Sequence, residues 1–184
     1  MGKEYAEIAP ELAAWIKAQP LFFVGTAPLA ASGHVNVSPK GLDTLRVLGP
    51  QRVAYLDLTG SGAETIAHVR ENGRIVLMFC AFSGPPKIVR LHGKAAVVQL
   101  GSELDRHFPA HMGARAIVDV AIARISDSCG YGVPKFGKPE PREALDLWTQ
   151  KKGAGGLVDY RRQKNARSVD GLPALAPEDE DPAR

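Results

Sequence analysis

A glycine-rich turn with several hydroxyl residues is the feature of this sequence best suited to binding an anion. It reads LTGSGAET, residues 58–65, between the end of a predicted strand and the start of a predicted helix. Free backbone N–H groups and the positive end of a helix dipole favour phosphate at such a place. Thr59, Ser61 and Thr65 add hydroxyl donors. The stretch matches neither a Walker loop nor a dinucleotide fingerprint, so an ordinary capped helix, with Ser61 as N-cap, is the alternative.

Several cations could neutralise a phosphate bound at this turn. Ser38 and Lys40 come at the end of the stretch HVNVSPK, a predicted strand, and an ammonium there could reach the turn. Arg90 shares one predicted strand face with His92, and this face either lines a ligand site or faces water. The basic stretch 151–167, which includes Lys164, reads as a surface arm that could wrap a second subunit or stay solvated.

The cysteines and histidines give weaker indications of chemistry. His107 and His111 have the spacing of a helical metal pair, but Pro109 interrupts any helix between them, so we predict no metal site. Cys80 lies in an apolar run, which favours a reduced, buried thiol. Cys129 follows a predicted strand within SCGYGVP, where a tight turn is more typical than an activated nucleophile.

Length and composition indicate one globular domain spanning residues 1–184. The chain has 184 residues, of which 45% are hydrophobic and 23% charged, which excludes disordered and fibrous classes. A net charge of +3 is too small to indicate a nucleic-acid partner. The acidic N-terminus lacks a signal-peptide core, and the longest apolar runs are too short to cross a membrane. We therefore expect a cytoplasmic protein with no membrane partner.

Hydrophobic periodicity predicts a mainly β protein with a few short helices. Helices are predicted at Pro10–Gln19, Ser61–Asn72, Ser102–Phe108 and from Pro141 to about Lys152. An irregular C-terminal arm is predicted over about 153–184. Short links favour antiparallel neighbours in a barrel or sandwich. The six predicted strands are Leu21–Ala27, His34–Ser38, Arg52–Leu58, Arg74–Phe82, Lys87–Leu100 and Arg115–Ser126.

In order and spacing, these segments resemble the pyridoxamine 5′-phosphate oxidase-like flavoproteins. The resemblance covers about Pro20–Val98 and rests on FFVGTA, HVNVSPKG, VAYLDLTGSGAETIAHVRENGRIVLMF and KIVRLHGKAAVV, in that order. Its most specific part is a strand, a Thr/Ser/Gly turn, a short helix, and an Asn-Gly-Arg entry into the next strand. The later stretches SCGYGVP and SVDGLPAL look like those of an uncharacterised subgroup within this family. The true oxidases end in an Arg-rich segment that holds the substrate phosphate, and this sequence does not match it.

The resemblance implies a six-stranded antiparallel split β-barrel of the FMN-binding type, assembled as a homodimer with FMN at the subunit interface. Lys40 matches the family's basic residue after the second strand, and Thr59 matches a hydroxyl after the third. The family's Ser-Arg-Lys at the helix start falls on Ala63-Glu64-Thr65, so two cations are absent there. Arg90 or the C-terminal arm of the partner subunit, which includes Lys164, could replace them.

The resemblance also implies an activity, a flavin-dependent oxidoreductase acting on an unidentified small molecule. Lys40, Thr59, Ser61 and the N–H groups of the turn are expected to hold the phosphate, and no catalytic residue stands out. The full set of expected cofactor-binding residues is Ser38, Lys40, Thr59, Ser61, Thr65, Arg90 and Lys164. Two alternatives keep the fold and change the cofactor. One is F420, which the basic arm could contact, and the other is haem, for which His92 or His107 could be the ligand. A third alternative is a flavin-binding dimer that catalyses nothing.

Overall fold

The strands pair into one antiparallel sheet. The computed structural model describes residues 2–137 and 139–176, and within them the sheet has eight strands. Their order is β3-β2-β6-β7-β8-β5-β4, with β1 paired to β8 outside this path. The strands are β1 (Glu4–Tyr5), β2 (Phe22–Thr26), β3 (Asn36–Lys40), β4 (Leu45–Gly49), β5 (Arg52–Leu58), β6 (Arg74–Cys80), β7 (Ile88–Val98) and β8 (Ala114–Ser128).

The mainly β split-barrel class is confirmed, although the predicted number of strands is too low. The two additional strands are β1 and β4. β1 has only two residues, too few for any periodicity to show. β4 has no buried face, and each of its residues is only partly exposed, so the polar and apolar alternation that indicates a strand is missing.

The helices differ from the prediction at their ends. Helix α1 spans Pro10–Lys17, with proline in its first turn, and a 3₁₀ helix at Glu103–His107 is capped by the Ser102 hydroxyl. Helix α2 spans Glu64–Asn72 and ends at Gly73 in the left-handed conformation. Its N-cap is Ala63, with no side-chain cap, so the prediction of a Ser61 cap is wrong.

The C-terminal arm is more ordered than predicted. Helix α3 spans Ala144–Lys164 and continues past Gly153, whose φ of 67° produces a kink instead of an end. The residues after α3 fold into a short hairpin, with Arg167 bridged to Pro173. We call residues 165–175 the strap. Residues 177–184, predicted as the end of the arm, lie outside the described residues.

The sheet curls around an apolar core because buried and exposed residues alternate along its strands. In β2, every second residue is buried, namely Phe22, Val24 and Thr26, and the two residues between them are half-buried. In the core, the Phe22 ring stacks on Phe79 with centroids 5.7 Å apart and contacts Tyr55 edge-on at 5.5 Å. The two ends of the sheet approach each other where β3 leads into β4, since Lys40 at the end of β3 donates to Asp57 of β5 at 2.7 Å.

A second cluster attaches the strap to the sheet through α2. Ala174 and Leu175 of the strap pack on Ala63, Ile66 and Ala67 of the helix, and each of the five is at most 6% exposed. The strap therefore covers the beginning of α2. These contacts lie within its own chain.

Both cysteines are free thiols, Cys80 buried and Cys129 exposed. Burial raises the pKa of the Cys80 thiol, which keeps it protonated and unreactive. None of the helices among the described residues is both long enough and apolar enough to span a membrane.

Candidate functional site

A buried group of three charges joins β3 to β5 and β8. Lys40 Nζ donates to Asp57 Oδ1 and Arg115 Nε donates to Asp57 Oδ2, each at 2.7 Å. The Asp57 side chain is fully buried, and those of Lys40 and Arg115 are 19% and 4% exposed. Burial opposes the charged form of Asp57, but the charges of Arg115 and Lys40 outweigh it and lower the pKa of the carboxyl. Two cations on one carboxylate leave a net charge of one positive unit.

The turn 59–62 follows β5 and is fixed at its first residue. Thr59 donates to the Gly113 carbonyl twice, from its N–H at 2.7 Å and from Oγ1 at 2.9 Å. Arg161 of helix α3 donates from Nε to Thr59 Oγ1 at 2.9 Å and from Nη2 to the Ala114 carbonyl at 2.8 Å. The Thr59 hydroxyl, which the sequence predicts as a phosphate ligand, therefore already contacts the Arg161 guanidinium.

Two further side chains hold the carbonyl groups of the same turn. Asn165, the first residue of the strap, donates from Nδ2 to the Gly60 carbonyl at 2.9 Å. Arg115 donates from Nη1 to the Gly62 carbonyl at 3.0 Å. These two hydrogen bonds connect the turn to the ion group, through Arg115, and to the strap, through Asn165.

The N–H groups of the turn remain available. Within the described residues, no hydrogen bond uses the backbone N–H of Gly60, Ser61 or Gly62. A Cβ placed on Gly60 would meet no atom within 4 Å, so the space beside it is open. On the other side, the Glu64 carboxylate lies against Gly62 and accepts from the Val169 N–H at 3.3 Å. An anion such as phosphate therefore fits on the Gly60–Ser61 side of the turn.

A polar network links two other predicted residues, Ser38 on β3 and Thr65, the second residue of α2. Asn36 Nδ2 donates to Thr65 Oγ1 at 3.0 Å and to Thr26 Oγ1 at 3.2 Å, while Ser38 Oγ donates to Asn36 Oδ1 at 3.0 Å. Thr26 Oγ1 is also 3.0 Å from His68 Nδ1. β3 and α2 thus bring Ser38 and Thr65 together through Asn36.

The other predicted residues are arranged differently. Ser61 is exposed at the tip of the turn, and Lys40 reaches the turn only through Asp57 and Arg115. Arg90 donates to Ser128 at 3.0 Å on the outer face of the sheet, away from the turn. Lys164 is exposed at the last residue of α3.

The comparisons with known proteins agree with this architecture. The family model for pyridoxamine 5′-phosphate oxidase matches residues 8–129, well over half of the chain. The chain belongs to this family. It is also 40% identical to the pyridoxamine 5′-phosphate oxidase family protein ustO of Aspergillus flavus over 192 aligned positions, which cover 93% of this chain and 77% of that protein.

Two solved structures share the fold. HupZ of Group A Streptococcus aligns with a TM-score of 0.53 at 20% identity, covering 71% of this chain and 99% of that one. A putative pyridoxamine 5′-phosphate oxidase from Lactobacillus delbrueckii aligns with a TM-score of 0.52 at 21% identity, covering 67% and 98%. At this identity the two structures support the fold alone.

Two arginines from distant segments contact the turn before α2, the helix whose start lacks the two cations that the resemblance predicts. Arg115 enters the turn from β8, and Arg161 enters from α3. Reasoning from the sequence missed the contact of Arg115, which it placed at the start of a strand. It named the basic arm that contains Arg161 as a source of cations but did not link Arg161 to Thr59. The one available signal was an aspartate at position 57 in the apolar strand VAYLDL, because a buried carboxylate requires a cation.

Burial of His68 predicts a loss of stability at mildly acidic pH. Burial lowers the pKa of this imidazole below its ordinary 6.5, outweighing the nearby carboxylates. The unfolded chain therefore binds the proton more strongly, so stability is complete above about pH 6.5 and falls as the pH drops toward the lower folded value. We expect His68→Gln to reduce this dependence, measured as urea midpoints at pH 7.5 and 5.5. Equal midpoint shifts in the two proteins would contradict it.

Proposed function

We propose that this protein binds FMN, with the phosphate group at the turn 59–62, and acts as a flavin-dependent oxidoreductase on a small molecule. Membership of the pyridoxamine 5′-phosphate oxidase family supports the cofactor class. The observation that carries the proposal is the turn itself, where unused N–H groups and open space lie beside Gly60. These are the features that a phosphate group requires from a backbone.

The residues around the turn would share the binding of the phosphate. Ser61 and Thr65 would donate hydroxyl groups, and the Arg161 guanidinium, already on Thr59, would supply positive charge. Lys40 and Arg115 share one carboxylate and so leave one net positive charge. This charge would attract the phosphate without direct contact. FMN, when bound, supplies the two-electron chemistry, and the chain supplies binding, orientation and electrostatics.

The outer face of the sheet is the proposed subunit interface. Val35 and Val37 are 74% and 64% exposed, and they border a cavity of about 370 Å³ together with Val76 and His92. Exposed apolar residues grouped on a sheet face are typical of a surface that another subunit covers.

A comparison of two flavins tests the proposal. We expect FMN to bind at least about tenfold more tightly than riboflavin, because riboflavin lacks the phosphate and its charge-assisted hydrogen bonds. Quenching of flavin fluorescence gives both dissociation constants, and light scattering gives the mass with and without FMN. Equal affinities for the two flavins, or no binding of either, would contradict a phosphate site.

A further inference from the structure

The first residue of α2, Glu64, directs its side chain back over the turn 59–62 instead of away from it. A Cβ placed on Gly62 would overlap Glu64 Oε2 and would lie 3.3 Å from Oε1. The carboxylate therefore fills the space that any other side chain at position 62 would occupy. Glycine at this position allows a negative charge to lie against the backbone of the turn.

The strap holds the other oxygen of this carboxylate. Val169 N–H donates to Glu64 Oε1 at 3.3 Å, whereas Oε2 is the oxygen nearer to Gly62. Glu64 is half-buried in this position. Its carboxylate thus lies between the turn and the strap, with one oxygen directed at each.

No cation pairs with Glu64 in the part of the chain that the structure describes. The ion pairs among these residues do not include it. Arg115 reaches Gly62, but it donates to the carbonyl group there and directs its Nε to Asp57. The favourable partners of the Glu64 charge are therefore backbone dipoles, those of the beginning of α2 and of the unused N–H groups of the turn.

A phosphate group bound at Gly60 and Ser61 would share these dipoles with the carboxylate. Both groups are anions, and both are favoured by free N–H groups and by the positive end of a helix dipole. Residues 60, 61 and 62 are consecutive, and successive Cα atoms are about 3.8 Å apart. At distances close to the Debye length of about 8 Å, salt screens the repulsion between like charges only in part.

We propose that Glu64 is an internal competitor in the flavin site, which occupies one side of the turn while the site is empty and lowers the affinity for phosphate when FMN binds. The inference rests on the proposed function and adds a residue that determines how tightly the same site holds its ligand. The alternative is the ordinary role of an acid that stabilises the first turn of a helix. That role alone predicts no gain in FMN affinity when the charge is removed.

Glu64→Gln tests the proposal, because it removes the charge and keeps the shape, including an oxygen that can accept from Val169 N–H. We expect the dissociation constant for FMN to fall at least about threefold, and that for riboflavin, which has no phosphate, to stay the same. Inorganic phosphate, measured by its competition with FMN, should also bind at least about threefold more tightly to the variant. Quenching of flavin fluorescence gives all three constants.

Glu71→Gln is the matched control on the same helix. Glu71 is exposed and accepts from Leu29 N–H at 2.8 Å, and it lies about 10 Å along the helix axis from Glu64. Its replacement should leave the affinities for FMN and phosphate within about twofold of the wild-type values. Glu64→Ala should tighten FMN binding in the same direction as Glu64→Gln, and it decides the question if Glu64→Gln fails to fold.

The outcomes separate the role of Glu64 from the proposed function. Equal affinity of the wild-type protein for FMN and riboflavin would overturn both. A wild-type preference for FMN that Glu64→Gln leaves unchanged or reduces would overturn the role of Glu64 alone. A gain in FMN affinity that Glu71→Gln reproduces would also overturn it, since the effect would then come from net charge and not from the position of Glu64.

Discussion

Replacement of Asp57 by asparagine is expected to lower the free energy of unfolding by about 3–5 kcal/mol, the usual cost of removing one partner from a buried ion pair. Asparagine has nearly the same shape, so the loss comes from charge and not from a cavity. Lys40 and Arg115 would be left in a largely buried position with no carboxylate between them. Urea denaturation of the two proteins at pH 7 measures the difference.

Asp119→Asn is the matched control for this change. Asp119 pairs with Arg52 at 2.9 Å, but the two side chains are 22% and 51% exposed, so the same substitution should cost less than about 1 kcal/mol. Similar losses in the two variants would show that the ion group around Asp57 has no special role in stability.

The pH dependence of the Asp57 contribution has a defined direction. Because the pKa of Asp57 is lowered on folding, its contribution is complete above the unfolded value of 3.8 and is lost as the pH falls below it. The variant Asp57→Asn should therefore approach the wild-type stability in strong acid.

Replacement of Leu175 by alanine should cost about 2–4 kcal/mol, within the range for a large-to-small change at a buried site. Leu175 is 6% exposed and anchors the strap to Ala63 and Ile66 of α2. The same variant should bind FMN more weakly, because Asn165 of the strap holds the Gly60 carbonyl of the turn. Thermal unfolding and flavin titration provide the two measurements.

Val169→Ala separates a local effect of the strap from a general one. Val169 belongs to the same strap but is 68% exposed, so this change should alter the free energy of unfolding by no more than about 0.5 kcal/mol and leave FMN binding unchanged. If Leu175→Ala loses stability but keeps its full FMN affinity, the strap supports the fold without shaping the turn.

Much of the sheet could be predicted from sequence, because apolar and polar residues alternate along its long strands or apolar residues form continuous runs. β5, β6 and β7 begin at or one residue from the predicted positions, since glycine or proline turns mark their ends. β4 could not be predicted, because all five of its residues are half-buried and no periodicity remains. The start of α2 was misplaced because a Ser-x-x-Glu pattern resembles a capping box, whereas Glu64 here folds back toward Gly62.

The candidate site was less accessible to sequence reasoning because its charges come from distant segments. Arg115 and Arg161 lie 58 and 102 positions from the residues they contact, Asp57 and Thr59. No local pattern reports such a contact. The sequence could nominate Thr59, Ser61 and Thr65 as candidates, because they are close together in the chain and share one turn and the helix that follows it.

The central claim, a flavin phosphate at the turn 59–62, is tested most directly by the ratio of FMN to riboflavin affinity in Ser61→Glu. Ser61 is exposed, so the fold should tolerate the change, while the added carboxylate lies beside the proposed phosphate position. We predict that FMN affinity falls at least about tenfold and that riboflavin affinity stays the same. Unchanged FMN affinity in Ser61→Glu would place the phosphate elsewhere and contradict the claim.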